Sequence, residues 1–415
     1  MTALEISALL IVLAGLFGAV NYFVLRLPTA IGILLVALTA SLGMMGVDAL
    51  LPDAGIRTSL LGVVESIGFS DTLLEGMLGL LLFAGALHVK VEELRANAWT
   101  VALMATLGVA LSTAIAGVGF HFLTGIPILV ALVFGALISP TDPVAVLGVL
   151  REANLRKSLE TQIAGESLFN DGVGYVVFLL LVGLAFASDH SHGGGASDAV
   201  LLFLQEAVGG ALLGAVLGWL TFQLMKRIDD YSLEVLLSLG LAFGGYALAL
   251  RLHVSGPILA VVAGLFIGHV GMKTGMSAET RDYLDKFWVL IDEILNAVLF
   301  LLIGVEVFAV AFEVDALLAG VASIGLSLVA RLAAVAVPIT LLKTVRTYST
   351  DVIPIMTWGG IKGGISVALA LSLPENEWKP LILTATYVVV IFSIVIQGLT
   401  IAPLARRLSR EPDLL

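Results

Sequence analysis

The chain has 415 residues, 59% of them hydrophobic and 13% charged, with a mean hydropathy of +1.07 and a formal net charge of −11. Soluble domains hold roughly 45 to 50% apolar residues, so this composition excludes a soluble globular protein and identifies an integral membrane protein. Cysteine is absent, which excludes disulfides, thiolate metal sites and cysteine nucleophiles. The net charge says little about partners, because Lys and Arg sort by side of a membrane, and no basic face for nucleic acid is indicated.

The N-terminal stretch MTALEISALLIVLAGLFGAVNYF carries Glu5 and no Lys or Arg before its apolar run. It lacks the basic flank of a signal peptide and reads as a retained first span. At about 20 apolar residues per span, 13 helices are predicted: 5–24, 28–47, 70–89, 97–121, 126–149, 160–186, 199–225, 232–250, 255–272, 287–310, 316–342, 351–373 and 380–405. The fold class is therefore an all-α polytopic membrane protein. Between the second and third spans, the segment 51–70 is expected to include an interfacial helix. The polar connection ASDHSHGGGASD, with His190 and His192, reads as a glycine-rich linker rather than a metal site.

The basic residues test the count. Sixteen of the 21 fall in the odd-numbered connections and the C-terminal tail, against three (Arg57, Arg251 and Lys379) in even-numbered ones. The positive-inside rule then places the C-terminus in the cytoplasm and the N-terminus outside. Two bases, Arg331 and Lys362, lie within spans 11 and 12, where a charge costs about 2.5 to 3.5 kcal/mol on insertion scales. Seven acids lie in or near spans: Asp142, Glu166, Asp171, Glu206, Asp292, Glu293 and Glu306. These few residues are where function is to be sought.

Span 5 contains GALISPTDPVAVLGVL, in which two prolines bracket Thr141 and Asp142. Each proline removes a donor and disfavours helix just before it, so the span should be broken there. Span 12 contains MTWGGIKGGISVALAL, with four glycines around Lys362, and should be broken too. Interrupted segments at matching positions in two halves point to a midplane site between inverted repeats. Spans 1–6 and 8–13 would be the repeats, with spans 5 and 12 each fifth. Opposed half-helix ends need charge of each sign, which Asp142 and Lys362 could supply.

In GESLFNDGVGYVVF, residues four apart share a helix face. Glu166 with Asn170 forms one polar pair, and Ser167 with Asp171 forms another, turned by about 100°. An unpaired acid and an unpaired ammonium would each be costly at that depth, so an ion pair of Glu166 with Lys362 is expected. Asp171 is then the free acid, able to take either a proton or a small hard cation. Asp171, Ser167, Thr141 and carbonyls of the unwound span 5 offer the oxygen ligands such a cation prefers. Two readings stand for Arg331: a packing charge satisfied by carbonyls or acids, or a positive group near the site. Asp292 and Glu293 read as a solvated start of span 10, with a cation-attracting funnel as the sharper alternative. Glu206 and Glu306 read as interfacial or paired. No site role is assigned to His88, His121, His253 or His269.

Six stretches, in order, carry a resemblance: LLFAGALHVKVEELR, SPTDPVAVL, GESLFNDGVGYVVF, HVSGPILAVVAGLFIG, LNAVLFLLIGVEV and TWGGIKGGISVALAL. With them the sequence resembles the monovalent cation/proton antiporter family, in its sodium/proton exchanger branch with an Asn-Asp pair. The resemblance implies a homodimer of 13-helix protomers with two crossed, interrupted helices and an elevator-like movement. Residues 1–90 and 232–310 would form a dimerisation domain, 97–186 and 316–405 the core, and 199–225 a linking helix. The acid matching Asp171 carries cation and proton in the family, and Thr141, Asp142, Ser167 and Asn170 match the residues around it. The acid matching Glu166 pairs with a base of the penultimate helix. Branches with an Asn before the carrier acid are generally electroneutral. Two departures from the pattern are Lys362, where Arg is usual and which unlike Arg can lose its proton, and Ala84, where many relatives have an acid.

The reading is a secondary active antiporter, not an enzyme, exchanging Na+ or Li+ for H+ at Asp171, with no cofactor. Its place would be a bacterial or archaeal plasma membrane. K+/H+ exchange by the same machinery is the alternative. A cation channel lacks a recognisable filter, since Gly359 to Gly364 is not one, and an intramembrane hydrolase lacks a recognisable nucleophile motif.

Overall fold

The computed structural model describes residues 2–51, 62, 67–143, 146, 156–186, 196–271, 276–310 and 313–408. Among these residues every regular element is helical, as follows when each backbone group at membrane depth must find its partner within its own segment. In chain order the helices are α1 (Ala3–Val20), α2 (Thr29–Leu50), α3 (Leu78–Leu87), α4 (Ala98–Thr124), α5 (Ile128–Leu137), α6 (Lys157–Phe186) and α7 (Ala196–Met225). There follow α8 (Tyr231–Arg251), α9 (Gly256–Phe266), α10 (Ala278–Val305), α11 (Val314–Leu342), the two halves α12a (Val352–Trp358) and α12b (Gly364–Leu371), and α13 (Lys379–Leu408). Within the described residues each predicted span coincides with a helix or, in span 12, a pair of half-helices; span 5 is described only as far as Pro143 and at Val146. The interfacial segment lies largely, and His190 and His192 lie wholly, outside the described residues.

Two boundaries differ for physical reasons. Helix α10 begins at Ala278, well before the predicted start at 287. The Ser277 hydroxyl accepts from the Thr280 amide at 3.3 Å, and Lys286 pairs with Asp282 one turn back at 2.6 Å. Hydropathy stops counting where charges begin, but a capped helix does not. Asp292 and Glu293 therefore sit about four turns into α10 rather than at its start. Helix α5 ends at Leu137, not at 149, because Pro140 and Pro143 follow; of residues 144–149 only Val146 is described.

Helices α4, α5, α6, α11, α12b and α13 pack on one another around Phe120 and Phe134, whose rings stack at 3.9 Å. Helices α3, α7, α8, α9 and α10 form a second group around Phe83 and Trp288, where the Trp288 indole donates to Ser238 at 2.9 Å. A third cluster runs from Ile31, Leu34 and Phe300 to Ile361 and Ile394. Side chains such as Ile11, Leu212, Val216, Leu318 and Val321 are exposed, the apolar coat a bilayer requires.

Small residues set the closest approach, as is usual between membrane helices. A Cβ on Gly135 of α5 would meet the Thr113 carbonyl of α4 and stand 2.8 Å from the Gly117 nitrogen, whereas one on Gly15 of α1 meets nothing within 4 Å. Gly135→Ala is expected to destabilise by about 1–3 kcal/mol, the usual cost of overpacking, and Gly15→Ala to leave stability unchanged. Thermal unfolding of the purified variants in detergent checks this.

Candidate functional site

Both breaks are present where the prolines and glycines put them. Helix α5 reaches its C-cap at Ile138, and α12a and α12b are separated by a non-helical stretch at 360–363. The breaks meet: the Asp142 amide donates to the Ile361 carbonyl at 2.8 Å. The Lys362 ammonium donates to the carbonyls of Ser139 at 3.1 Å and Pro140 at 3.4 Å, just beyond the negative C-terminal end of α5. On the other side, a Cβ on Gly363, the N-cap of α12b, would lie 2.5 Å from the Asp142 carboxylate. That acid is therefore held against the positive end of α12b. Glycine at 363 is what permits the approach.

The remaining backbone of the break is served by α13. Ser393 Oγ accepts from the Lys362 amide at 2.9 Å and donates to Gln397 at 2.5 Å, and the Gln397 amide donates to the Trp358 carbonyl at 2.8 Å. These two residues open and close a π turn. Reasoning from charge alone passed over them; the available signal was a pair of polar residues four apart inside an apolar span.

The expected Glu166–Lys362 pair is not what forms. Glu166 accepts from both terminal nitrogens of Arg331, with Nη2 to Oε2 at 2.9 Å, while Arg331 Nε and Nη2 also reach the Met356 carbonyl at 3.2 and 3.0 Å. All three side chains are buried. A planar guanidinium matches a carboxylate at two points, whereas an ammonium is a point charge. Hence Arg331 takes the acid and Lys362 the two adjacent carbonyls. Arg331 is thus satisfied by an acid and a carbonyl. Gly360 is required beside it, since a Cβ there would collide with the guanidinium. A second buried pair, Arg156 with Asp351 and Ser349, ties the start of α6 to the start of α12a. Its members lie in connections, where charges read as solvated.

On α6, Asn170 spends both ends of its amide on the break. Its Oδ1 accepts from the Thr141 amide at 3.3 Å and its Nδ2 donates to Thr141 Oγ1 at 2.8 Å. Thr141 and Ser167 share a hydrogen bond at 3.0 Å. Asn170 thus positions Thr141. Asp171 is 5% exposed, its Oδ1 is buried with no hydrogen-bond partner among the described residues, and its charged neighbours are Asp142 and Lys362. It opens on a cavity of about 640 Å³ that also reaches Thr141 and Asp142. The cavity runs past Asn296, Asp292 and Glu293 of α10 to Glu160, Glu93 and Lys90, so the two α10 acids line an approach to Asp171. From α3 the cavity meets Leu78, Leu81, Leu82, Gly85 and His88, none of them an acid. Glu306 is buried beyond the end of α10 and faces Tyr387, and Glu206 lies on α7 near His253. Neither lines the cavity.

The family model for the transmembrane sodium/hydrogen exchanger matches residues 8–407. The chain is 46% identical to the Na+/H+ antiporter NhaP of Pseudomonas aeruginosa, over 98% of this chain and 97% of that protein. It is 36% identical to the Na+/H+ antiporter NhaH of Halobacillus aidingensis, over 83% and 85%. Among solved structures, the sodium proton antiporter MjNhaP1 of Methanocaldococcus jannaschii at pH 8 shares the fold with a TM-score of 0.74 at 18% identity, over 97% of this chain and 98% of that one. The chain belongs to the sodium/hydrogen exchanger family.

Removing one member of a buried pair strands the other at a cost of about 3–5 kcal/mol. Arg331→Met should therefore destabilise by that amount, and the double variant Glu166→Gln/Arg331→Met should recover most of it. Lys362→Met, which abandons two carbonyls rather than a bidentate carboxylate, should cost less than Arg331→Met. Urea or thermal unfolding in detergent ranks the three.

Proposed function

We propose that this protein is a secondary active antiporter in which Na+ (or Li+) and H+ compete for Asp171. The observation that carries the reading is the Asp171 carboxylate, buried at the inner end of an open cavity with an unsatisfied Oδ1. A carboxylate so placed needs a proton or a cation. The hydroxyls of Thr141 and Ser167 and the loosened carbonyls of the α5 break supply the further oxygens a hard cation takes, and Asp142 adds negative charge nearby. Asn170 acts by holding Thr141. Because one acid serves both ions, the site is never required to hold both, and alternating access turns competition into exchange. The family is one of exchangers rather than enzymes. The relatives are named as sodium antiporters, and no feature of the site favours potassium.

The cavity opens among Lys90, Glu93 and Glu160, at the end of the bundle where the connections are rich in Lys and Arg. By the positive-inside rule that end is cytoplasmic, so the N-terminus lies outside and this conformation faces inward. The group of α4, α5, α6, α11, α12 and α13 would be the moving core. The group containing α1, α2, α3, α8, α9 and α10 would be the dimerisation domain of a homodimer, with α7 linking them. Exchange of one cation for one proton at one carboxylate is electroneutral, with Arg331 neutralising Glu166 throughout.

Two outcomes test the reading in proteoliposomes. Asp171→Asn should abolish Na+-driven collapse of an imposed pH gradient while the protein keeps its melting temperature; retained exchange refutes the assignment. In the wild type, the apparent Na+ affinity should fall by about tenfold per pH unit of acidification once protons win the site, the mark of one-for-one competition. Collapse rates that do not respond to a voltage clamp would accord with electroneutrality.

A further inference from the structure

Resting on the exchange reading above, we propose that the Ser366 hydroxyl of α12b is a further ligand of the cation bound at Asp171, so that both broken helices hold the ion. A buried polar atom almost always has a hydrogen-bond partner, and one without calls for an explanation. Among the described residues, two such atoms line the cavity: Asp171 Oδ1 and Ser366 Oγ. Ser366 is 1% exposed. A serine in a helix ordinarily turns its hydroxyl back to a carbonyl three or four residues earlier, as Ser372, the C-cap of α12b, does with Leu369 at 2.9 Å. For Ser366 those positions are Gly363 and Lys362, in the break, and no such bond forms among the described residues. Its hydroxyl is left to the cavity. Ser366 is also the third residue of α12b, and helical side chains lean toward the N-terminus, here toward the break. Gly363, Gly364, Ile365 and Ser366 all line the cavity, and Asp142, which lies against Gly363, is a charged neighbour of Asp171. The first turn of α12b and the carrier acid therefore face one space.

The other hydroxyls fall short of a shell. Hard cations take about six oxygens. Thr141 Oγ1 accepts from Asn170 Nδ2 and shares a hydrogen bond with Ser167 Oγ. A hydroxyl oxygen has two lone pairs, so whichever of Thr141 and Ser167 donates to the other, only half of their lone pairs are left for an ion. The Ser139 and Pro140 carbonyls already accept from Lys362, and the α3 side chains on the cavity, Leu78, Leu81 and Leu82, carry no oxygen. Ser366 is the uncommitted hydroxyl. Both of its lone pairs are free among the described residues, and it comes from a different helix than Asp171, Ser167 and Thr141. A serine hydroxyl does not titrate in the range where carboxylates and imidazoles do. It therefore strengthens the hold on a cation and adds nothing to the hold on a proton, which weights the competition at Asp171 toward the cation.

The test measures the KM for Na+ as a function of pH in proteoliposomes for the wild type, Ser366→Ala and Ser366→Cys. The cysteine variant nearly keeps the shape of serine but puts a soft sulfur where the hard oxygen was. In both variants the KM at alkaline pH, where protons do not compete, should rise roughly fivefold to thirtyfold, the scale of one polar contact to a charge. The pH at which the KM reaches twice its alkaline limit is set by proton binding to Asp171 and should stay at the wild-type value. A residue that only packs would tolerate the near-isosteric cysteine. The inference is overturned if either variant keeps the wild-type KM, or if the doubling pH moves together with the KM, since Ser366 would then act on the acid itself. Should Ser366→Ala not fold, Ser366→Cys decides by the same two readings. A wild type that moves no protons in response to Na+ would instead sink the exchange reading itself.

Discussion

The crossing of the two broken helices sets the terms for everything around it. Helices that stop at membrane depth leave carbonyls, amides and dipole ends that hydrocarbon cannot satisfy. Here a charge of the right sign or a polar partner meets several of them. Lys362 covers the carbonyls beyond α5, Asp142 lies against the start of α12b, the two breaks bond directly through Asp142 and Ile361, and Ser393 with Gln397 holds what is left. The Lys362 ammonium is thereby committed to backbone carbonyls.

That commitment decides which acid is available. Arg331 is satisfied by Glu166 and Met356, and Lys362 is turned toward carbonyls, so among the described residues no cation is bonded to Asp171. Its Oδ1 stays without a partner among them, close to the Thr141 hydroxyl that Asn170 positions. The lysine at 362 keeps a point charge over two neighbouring carbonyls. The charge on Glu166 is balanced by a residue that cannot lose its proton.

Much of this was legible in the sequence because hydrocarbon makes the rules strict. Thirteen apolar runs, the proline pair around Thr141 and Asp142, and the glycines around Lys362 locate most of the helices and both breaks. The choice of partner for Glu166 was not legible. Two bases of like charge lay within reach in sequence, and the difference between them is one of shape and direction, which spacing does not encode. The start of α10 was missed because a capped, ion-paired helix continues past the apolar boundary. Ser393, Gln397 and the Arg156–Asp351 pair were missed because neutral polar residues and charges in connections carry no depth signal.

The central claim is that one carboxylate, Asp171, is satisfied by a cation or by a proton but not by both. Titrating Na+ into the purified protein in weakly buffered detergent solution tests it most directly. About one proton should be released per protomer near the midpoint of the competition, none from Asp171→Asn, and the apparent affinity should weaken as pH falls. Sodium binding that is indifferent to pH and releases no protons would contradict the account.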